Sequence, residues 1–320
     1  NAVFQTKSLV NEPIISLSAP QYVEKIKTIA AEKGISATIY DKSWIESQAM
    51  GGILAVNKGS IDPPYFCVLE WKPETYINQK PLVLIGKGIM YDTGGLSLKT
   101  SAGMETMKAD MSGSAAVLGT ITAVATNKLP IHLLVIIPLT DNRPGGNAYA
   151  PGDIIKMHNG LFVEVLNTDA EGRMILADAL SYAKNFDPEL VIDIATLTGS
   201  ANAAVGEHAA VVMGTAAEMD IQTLINSGFE TFERLVQFPM WDDYADQIKS
   251  DFADLKNVGG PLAGAITAGK FLEYFTSYPW IHIDIAGSAY HPKGSGYKGK
   301  GATAMGVRLL YSFIKTYISA

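Results

Sequence analysis

Three charged side chains alternate along the segment VLNTDAEGRMILADAL, residues 165–180. Asp169, Glu171 and Arg173 stand at every second position, after an apolar run and before an amphipathic helix pattern. If this stretch is extended, the three side chains point to the same side, because successive side chains of a strand alternate between its faces. We therefore expect a functional site where this segment becomes a helix.

Two other stretches place charges next to glycines, beyond the predicted end of a strand or before a helix. The stretch GKGIMYDTGGLSLK, residues 86–99, follows an apolar strand, and METMKADMSGSAAV, residues 104–117, leads into a helix of small residues. The charged residues of interest in them are Lys87, Asp92, Lys99 and Asp110. Because open α/β sheets bind ligands at the carboxyl ends of their strands, acids at such positions are candidates for a site.

Each acid alone also fits a purely structural role. Asp92, before Thr-Gly-Gly, is typical of a turn, and Asp110 is typical of a helix N-cap. Asp169 and Glu171 suit the first turn of a helix, whose dipole favours acids. Charges are scarce in this part of the chain, however, and it contains four acids and three cations. Together these residues favour a common site.

Four carboxylates in one site require compensating positive charge. At about 4–5 Å, each pair repels by roughly 4 kcal/mol at an effective dielectric constant of about 20. Two divalent ions would balance the four negative charges, and bridging carboxylates suit the usual spacing of about 3.5–4 Å between two metals. The acid cluster therefore predicts a two-metal centre.

Strand-like and helix-like segments alternate around these stretches. The strand candidates are short, branched and almost continuously apolar: 80–88, 131–140, 190–196 and 280–287. The helix candidates have helical spacing: 112–128, 173–186, 263–278 and 303–318. Continuous apolar runs are typical of strands buried on both faces, so we predict an α/β fold with a mixed, largely parallel central sheet flanked by helices.

Residues 1–60 differ from the rest of the chain. The stretch 19–34 predicts one exposed helix, and ISATIYD, residues 35–41, predicts an edge strand. We expect residues 1–60 to form a linker helix and edge elements that lead into the main domain, residues 61–320.

The composition of this 320-residue chain limits the classes of partner. A hydrophobic content of 48% is typical of a globular protein, and no apolar run reaches the roughly eighteen residues that span a membrane. A net charge of −7 disfavours nucleic acid, for which HPKGSGYKGKG, residues 291–301, is the only basic candidate. The single cysteine, Cys67, fits a reducing compartment, and we expect a cytoplasmic protein without membrane contact.

Competing catalytic motifs are incomplete or absent in the sequence. GSGYKG, residues 294–299, matches G-x-G-x-x-G, but no clean strand turn precedes it and no acid follows about 20 residues later. The five histidines form no H-E-x-x-H motif, and His282 in WIHIDIAG is predicted to be a core residue. No G-x-S-x-G elbow occurs, which disfavours a serine hydrolase.

The motifs GKGIMYDTGGLSLK, MKADMSGSAAV and NTDAEGRMILADAL resemble the signatures of the leucine (cytosol) aminopeptidases, which are two-metal exopeptidases. The resemblance covers roughly residues 8–318, and NTDAEGRM differs from the usual pattern only at its last position. It implies that one metal is held by Asp92, Asp169 and Glu171, with the Asp169 backbone carbonyl included. It implies a second metal with four ligands: Lys87, Asp92, Asp110 and Glu171.

The resemblance also implies roles beyond the metal ligands. Lys99 and Arg173 would flank the metals and act on the substrate carbonyl and on a bound bicarbonate. The pocket for the N-terminal side chain would be lined by four residues: Met107, Thr196, Gly199 and Ala302. The implied fold is zinc-exopeptidase-like, with residues 61–320 as the catalytic metallopeptidase domain. We expect a homo-oligomer, most consistent with a hexamer, and a chain without the family's usual N-terminal domain, as in a truncated or processed form.

The residue types agree with such chemistry. A water that bridges two divalent ions, Zn²⁺ or Mn²⁺, becomes a nucleophile near neutral pH, and one ion can bind a neutral α-amine. Lys99 would stabilise the oxyanion, an effect of about 3–4 kcal/mol for comparable donors. Lys87 must be neutral to act as a ligand, which a neighbouring dication favours.

The motifs leave no side chain free to act as the general base. All four acids are ligands, no histidine lies in the motifs, and the guanidinium of Arg173 stays protonated. Its fork suits a small planar oxyanion, which the resemblance identifies as bicarbonate, although Arg173 could instead only neutralise the acids. The sequence thus predicts a metal-dependent aminopeptidase that acts on peptides with apolar N-terminal residues such as leucine.

A non-catalytic role on the same fold is the alternative, as an oligomeric scaffold or a DNA-binding accessory protein. The intact charged positions favour catalysis, and the acidic balance disfavours DNA. An assay of an aminoacyl chromogenic substrate with Mn²⁺, beside a salt-dependent DNA shift, distinguishes the two.

Overall fold

The structure, a computed structural model, describes residues 1–294 and 296–319; Ser295, in the GSGYKG motif and the basic segment, lies outside the described residues. The α-helices are α1 (Ala2–Asn11), α2 (Ala19–Lys33), α3 (Lys42–Ser47), α4 (Gly51–Asn57), α5 (Ser101–Met104), α6 (Ser112–Thr126), α7 (Glu171–Ala183), α8 (Gly199–Val205), α9 (Glu218–Thr231), α10 (Gly264–Glu273) and α11 (Val307–Tyr317). The strands are β1 (Ser36–Tyr40), β2 (Tyr65–Trp71), β3 (Leu82–Gly86), β4 (Gly88–Asp92), β5 (Leu133–Asn142), β6 (Ile154–Lys156), β7 (Phe162–Glu164), β8 (Leu190–Ala195), β9 (Ala210–Gly214), β10 (Leu235–Gln237), β11 (Leu255–Lys256), β12 (Trp280–Asp284), β13 (Tyr290–His291) and β14 (Gly301–Ala302). Short 3₁₀ helices cover Met107–Met111, Lys184–Phe186, Asp242–Ile248 and Gly296–Lys298.

The described residues form a central sheet of nine strands in the order β1-β2-β5-β3-β8-β12-β9-β10, with β4 paired to β5. Parallel pairing joins β3 to β5 and β8, β8 to β12, β4 to β5, and β9 to β10. Antiparallel pairing joins β1 to β2, β2 to β5, and β9 to β12. The predicted mixed, largely parallel sheet is confirmed, and β1 is the edge strand expected from ISATIYD.

Side chains of the central strands alternate between two apolar cores, one on each face of the sheet. In β3, Leu82 and Leu84 pack into the core that α1, α2, α6 and α11 cover. Val83 and Ile85 pack into the opposite core, which α4, α7 and α10 cover. Because both faces are covered, these strands are apolar at nearly every position, as the sequence pattern indicated.

The predicted helices are present, with one correction to the helix expected at 19–34. Helix α2 is amphipathic instead of exposed, because Tyr22 and Ile26 are fully buried against the sheet. It ends at Gly34, whose φ of 66° is a left-handed conformation that favours glycine. Residues 1–60 contribute β1 to the main sheet and α1 and α2 to its core, and the boundary at residue 60 stays a prediction.

A membrane-crossing helix would need more length and apolar character than any helix in residues 1–294 and 296–319 has. The parallel strands β3 and β8 end on the same side of the sheet, and β12 ends beside β8. The loops that follow them, together with the start of α7, surround the predicted functional residues.

Candidate active site

A cleft with a volume of about 490 Å³ opens at the carboxyl ends of β3, β4 and β8. Six charged residues predicted from the sequence line it: Lys87, Asp92, Lys99, Asp110, Asp169 and Glu171. These six residues come from three separate segments between residues 87 and 171, and the parallel topology brings them together. The fold therefore places the six charged residues in one cleft, and their functional roles stay a prediction.

The segment 165–173 is a turn followed by a helix, so the prediction that it is extended was wrong. Asp169 lies in the turn, where its N–H donates to Asn167 Oδ1 at 2.8 Å, and α7 begins at Glu171. The helix dipole favours an acid at this position. Helical residues two apart are separated by about 200°. Glu171 accordingly faces the cleft, whereas Arg173 donates from Nη1 to the carbonyl of Asn257 at 2.8 Å.

Three carboxylates form the centre of the site. Asp92, Asp169 and Glu171 each offer an oxygen, and these oxygens lie within 4.8 Å of one another. Burial raises the pKa of Glu171, and the nearby Asp92 raises it further. Burial and Asp92 also raise the pKa of Asp169, to about 6. The pKa values are raised because several negative charges lie close together and away from water, which disfavours the ionised forms.

Two lysines pair with the four carboxylates. Lys87 Nζ lies 2.8 Å from Asp110 and 2.9 Å from Glu171. Burial lowers the pKa of Lys87, but the surrounding carboxylates outweigh burial and raise it above its usual value. Lys99 Nζ lies 2.8 Å from Asp92 and 2.5 Å from Asp169. The two ammonium groups balance only half of the negative charge of the four acids.

The oxygen and nitrogen atoms of the cluster are suitable ligands for divalent cations. The Oε2 atom of Glu171 is buried and has no hydrogen-bond partner among the described residues. A buried carboxylate oxygen without a donor is costly, and a cation is the group that would satisfy it. Carboxylate oxygens with one amine nitrogen suit Zn²⁺ or Mn²⁺. The cluster is therefore a candidate metal centre.

The turn role expected for Asp92 and the N-cap role expected for Asp110 do not explain all of their contacts. Asp92 does form a turn, since its Oδ1 accepts the Gly94 N–H at 2.8 Å, but its Oδ2 pairs with Lys99. Asp110 lies in the 3₁₀ helix that precedes α6, and α6 has no side-chain cap. The side chain of Asp110 is buried against Lys87 instead.

Glycine at position 172 leaves room for the side chain of Lys87. A Cβ atom at Gly172 would come 2.6 Å from Lys87 Nζ and 2.4 Å from its Cε. The Glu-Gly-Arg sequence thus lets the start of α7 approach the lysine closely.

Two further residues orient the acids, and the sequence did not identify these roles. Asn142, at the end of β5, donates from Nδ2 to Asp92 Oδ1 at 2.9 Å and to the carbonyl of Thr168 at 3.0 Å. Thr196 donates from Oγ1 to Asp110 Oδ1 at 2.7 Å. The polar Thr-Asp-Asn end of an otherwise apolar strand was a usable signal for Asn142.

Asp284, at the end of β12, holds the loop that follows β8. Its Oδ1 accepts the Leu197 N–H at 3.1 Å, and its Oδ2 accepts the Thr198 hydroxyl at 2.7 Å. His282, two residues earlier, is fully buried and lies with Nδ1 2.7 Å from Asp193 Oδ1. The prediction that His282 is a core residue is therefore confirmed.

Arg173 lies behind the cleft lining instead of on it. Burial lowers its pKa to about 10, although Glu171 and Asp284 oppose this effect, so the guanidinium is charged at neutral pH. Its Nε is buried and without a hydrogen-bond partner among the described residues. One edge of the guanidinium thus retains hydrogen-bonding capacity for an anion.

Three of the four residues predicted to line the side-chain pocket lie on the cleft, and the fourth does not. Met107, Thr196 and Gly199 line the cleft. Ala302 is fully buried in β14, where it pairs with Tyr290, and its N–H donates to Asn11 Oδ1 at 3.0 Å. Ala302 is not part of the described cleft lining, and the role of all four in specificity stays a prediction.

Comparison with protein families gives one match over most of the chain. Residues 4–311 match the family described as "Cytosol aminopeptidase family, catalytic domain". A probable cytosol aminopeptidase of Geobacter sulfurreducens is 48% identical over 319 residues, which cover 99% of this chain and 64% of that protein. One of Chloroherpeton thalassium is 46% identical over 314 residues, with 97% and 61% covered. The chain thus spans less than two thirds of the length of these relatives.

Solved structures give the same fold. The bottromycin maturation enzyme BotP in complex with Mn superposes with a TM-score of 0.94 at 32% identity, covering 99% of this chain and 70% of that one. A second structure of BotP also has a TM-score of 0.94, at 31% identity, covering 100% of this chain and 69% of that one. The arrangement of sheet and helices described above is therefore that of a known enzyme fold.

Proposed function

The chain belongs to the cytosol aminopeptidase family, and on this premise we propose that it is a metal-dependent aminopeptidase that releases the N-terminal residue of peptides. The observation that carries the proposal is the carboxylate cluster of Asp92, Asp169 and Glu171 in a cleft. Two lysines that pair with the cluster also support the proposal: Lys87 contacts Glu171, and Lys99 contacts Asp92.

We propose that the cluster holds two divalent ions, Zn²⁺ or Mn²⁺. Asp92, Asp169 and Glu171 would hold one ion, and Lys87, Asp92, Asp110 and Glu171 would hold the other. When bound, the ions supply an activated bridging water and a site for the substrate α-amine. Lys87 has to lose its proton to act as a ligand, and a dication in place of the proton favours that loss. The manganese in the related BotP structure supports a centre of this kind.

We propose that Lys99 acts on the substrate carbonyl. Its side chain is 17% exposed, lines the cleft and is directed by Asp92 and Asp169. In our proposal its ammonium group donates to the oxyanion that develops on the scissile carbonyl. A donor fixed in advance by two carboxylates has little reorganisation to undergo during the reaction.

The first test is whether hydrolysis requires a free α-amine on the substrate. Leucine para-nitroanilide should be hydrolysed in Mn²⁺, and its N-acetyl derivative should be hydrolysed about 100-fold more slowly, equal to about 2.7 kcal/mol of transition-state binding. The reason is that an acetylated nitrogen is a poor metal ligand. The two kcat/KM values, measured in one buffer, are the readout. Equal values would identify an endopeptidase or amidase and contradict the proposal.

We propose that Arg173 holds bicarbonate through the edge that carries its unpartnered Nε. When bound, this anion supplies the proton acceptor that the side chains of the cleft do not provide. Arg173 itself contributes two charge-assisted N–H donors and stays protonated.

Removal of carbon dioxide from the buffers should therefore lower wild-type turnover, and added bicarbonate should restore it. Arg173→Ala should be slow and insensitive to bicarbonate, whereas Arg308→Ala, which removes a guanidinium paired with Glu233 outside the cleft, should respond as the wild type does. Turnover is measured against bicarbonate concentration in degassed buffer. Wild-type turnover that is independent of bicarbonate, with metal bound, would refute this role.

We further propose a preference for apolar N-terminal residues such as leucine, a homo-hexameric assembly and a cytoplasmic location. Met107 supports the first, since methionine adapts to aliphatic guests and lies on the cleft. The relatives support the last, since they are named cytosol aminopeptidases.

A further inference from the structure

One buried asparagine, Asn257, connects the turn that carries Asp169 to the helix that carries Arg173. We propose that Asn257 is a positioning residue that fixes these two parts of the site relative to each other. The inference rests on the proposed function, because it concerns the geometry of the same metal centre and of the same guanidinium. Asn257 follows β11 in an irregular segment and is fully buried.

The side chain of Asn257 binds the backbone of the turn with three hydrogen bonds. Its Oδ1 accepts the Leu166 N–H at 2.9 Å and the Asn167 N–H at 3.3 Å. Its Nδ2 donates to the Asn167 carbonyl at 2.7 Å. Asn167 in turn accepts the Asp169 N–H on its Oδ1 at 2.8 Å, so the position of Asp169 depends on Asn257 through a single residue.

The backbone of Asn257 completes the connection. Its N–H donates to the carbonyl of Glu164, at the end of β7, at 2.9 Å. Its carbonyl accepts Nη1 of Arg173 at 2.8 Å. One residue therefore contacts the strand before the turn, the turn itself and the guanidinium behind the cleft.

The turn is held from two sides: Thr168 is hydrogen-bonded to Ser97 and to the Gly94 carbonyl, and Asn257 holds the residues that precede Thr168. Residues 165–170 lie between β7 and α7, outside both elements. An asparagine side chain offers an acceptor and two donors in one plane, which allows it to replace the missing strand neighbour. Groups that orient metal ligands in this way typically change metal affinity or activity by about 10–100-fold when they are removed.

The experiment compares Asn257→Ala with Asn78→Ala. Asn78 is a matched control, because it is also a buried asparagine with three hydrogen bonds to backbone, to Lys80 and His132, and it lies outside the cleft lining. Each purified variant is titrated with Mn²⁺ alone by calorimetry. Thermal unfolding and the kcat and KM for leucine para-nitroanilide are then measured in saturating Mn²⁺.

Both variants should unfold at lower temperature than the wild type, since each loses three partly buried hydrogen bonds to backbone groups. Only Asn257→Ala should also bind Mn²⁺ about 10–100-fold more weakly and lose kcat by a similar factor, with KM changed much less. Wild-type Mn²⁺ affinity and wild-type kcat in Asn257→Ala would overturn the proposal, as would an equal loss in Asn78→Ala.

Asn257→Asp serves if the alanine variant does not fold. It keeps the acceptor for the two N–H groups and loses the donor to the Asn167 carbonyl, so its Mn²⁺ affinity and kcat should fall less than expected for alanine but remain below wild type. Unchanged values would overturn the proposal. A wild-type chain that binds Mn²⁺ but hydrolyses no aminoacyl substrate would contradict the proposed function alone, because the Mn²⁺ titration still tests Asn257.

Discussion

Glu171→Gln should reduce the turnover of leucine para-nitroanilide by about 1000-fold or more, which corresponds to about 4 kcal/mol or more of lost transition-state stabilisation. Glu171 is the acid that both proposed metal sites share with Asp92, and its Oε2 is buried without a donor. Glutamine has nearly the same shape, but it removes the negative charge that offsets the desolvation of a divalent ion. Both ions should therefore bind more weakly.

Metal content separates this effect from misfolding. After dialysis into Mn²⁺, the wild type should carry about two ions per chain, Asp110→Ala should lose chiefly one, and Glu171→Gln should retain less than one. Glu233→Gln is the control, because Glu233 is equally buried but accepts the N–H groups of Gly306 and Leu309 away from the cleft. A Glu171→Gln protein with two ions and near wild-type turnover would contradict the role assigned to Glu171.

Lys99→Met should lower kcat by about 100- to 1000-fold, the loss that follows removal of one oxyanion donor, or about 2.7–4 kcal/mol. Methionine keeps most of the length and volume of lysine but cannot donate to the carbonyl. KM should change little, because the interaction forms mainly in the transition state. The kinetic constants for leucine para-nitroanilide at saturating Mn²⁺ are the measurement.

Lys80→Met is the matched control for Lys99→Met. Lys80 pairs with Asp187 on the surface, with both side chains more than half exposed, and such a pair contributes little to stability. Its substitution should leave kcat unchanged. If Lys99→Met lost activity only through metal release or a higher KM, Lys99 would be a structural partner of Asp92 and Asp169 and not the oxyanion donor.

The sequence predicted the sheet and the charged centre because their signals are local. Strands β3, β5, β8 and β12 are covered on both faces, so each appears in the sequence as an almost continuously apolar run. The acids then stand just beyond such runs or at the start of a helix, where glycines and small residues mark a turn or close packing. Lys87, Asp92 and Glu171 could therefore be assigned to one site before any contact was known.

The direction of Arg173 and the role of Asn257 could not be predicted in the same way. Alternation of charges in residues 169–173 fits an extended segment, yet the favourable first turn of α7 begins at Glu171 and places Arg173 on another side of the helix. Asn257 lies 84 positions from Arg173 in an irregular segment without periodicity. Only the tertiary arrangement brings the two together.

The proposed activity is hydrolysis of aminoacyl bonds by this chain, with metal held by the carboxylate cluster. Its most direct test is the turnover of leucine para-nitroanilide by chelator-treated protein as Mn²⁺ is added in steps. Turnover should be absent without metal and should rise until about two ions per chain are bound, as expected for a two-metal hydrolase. Turnover that persists unchanged after chelation, or that never appears in a folded protein with Mn²⁺ bound, would contradict the account.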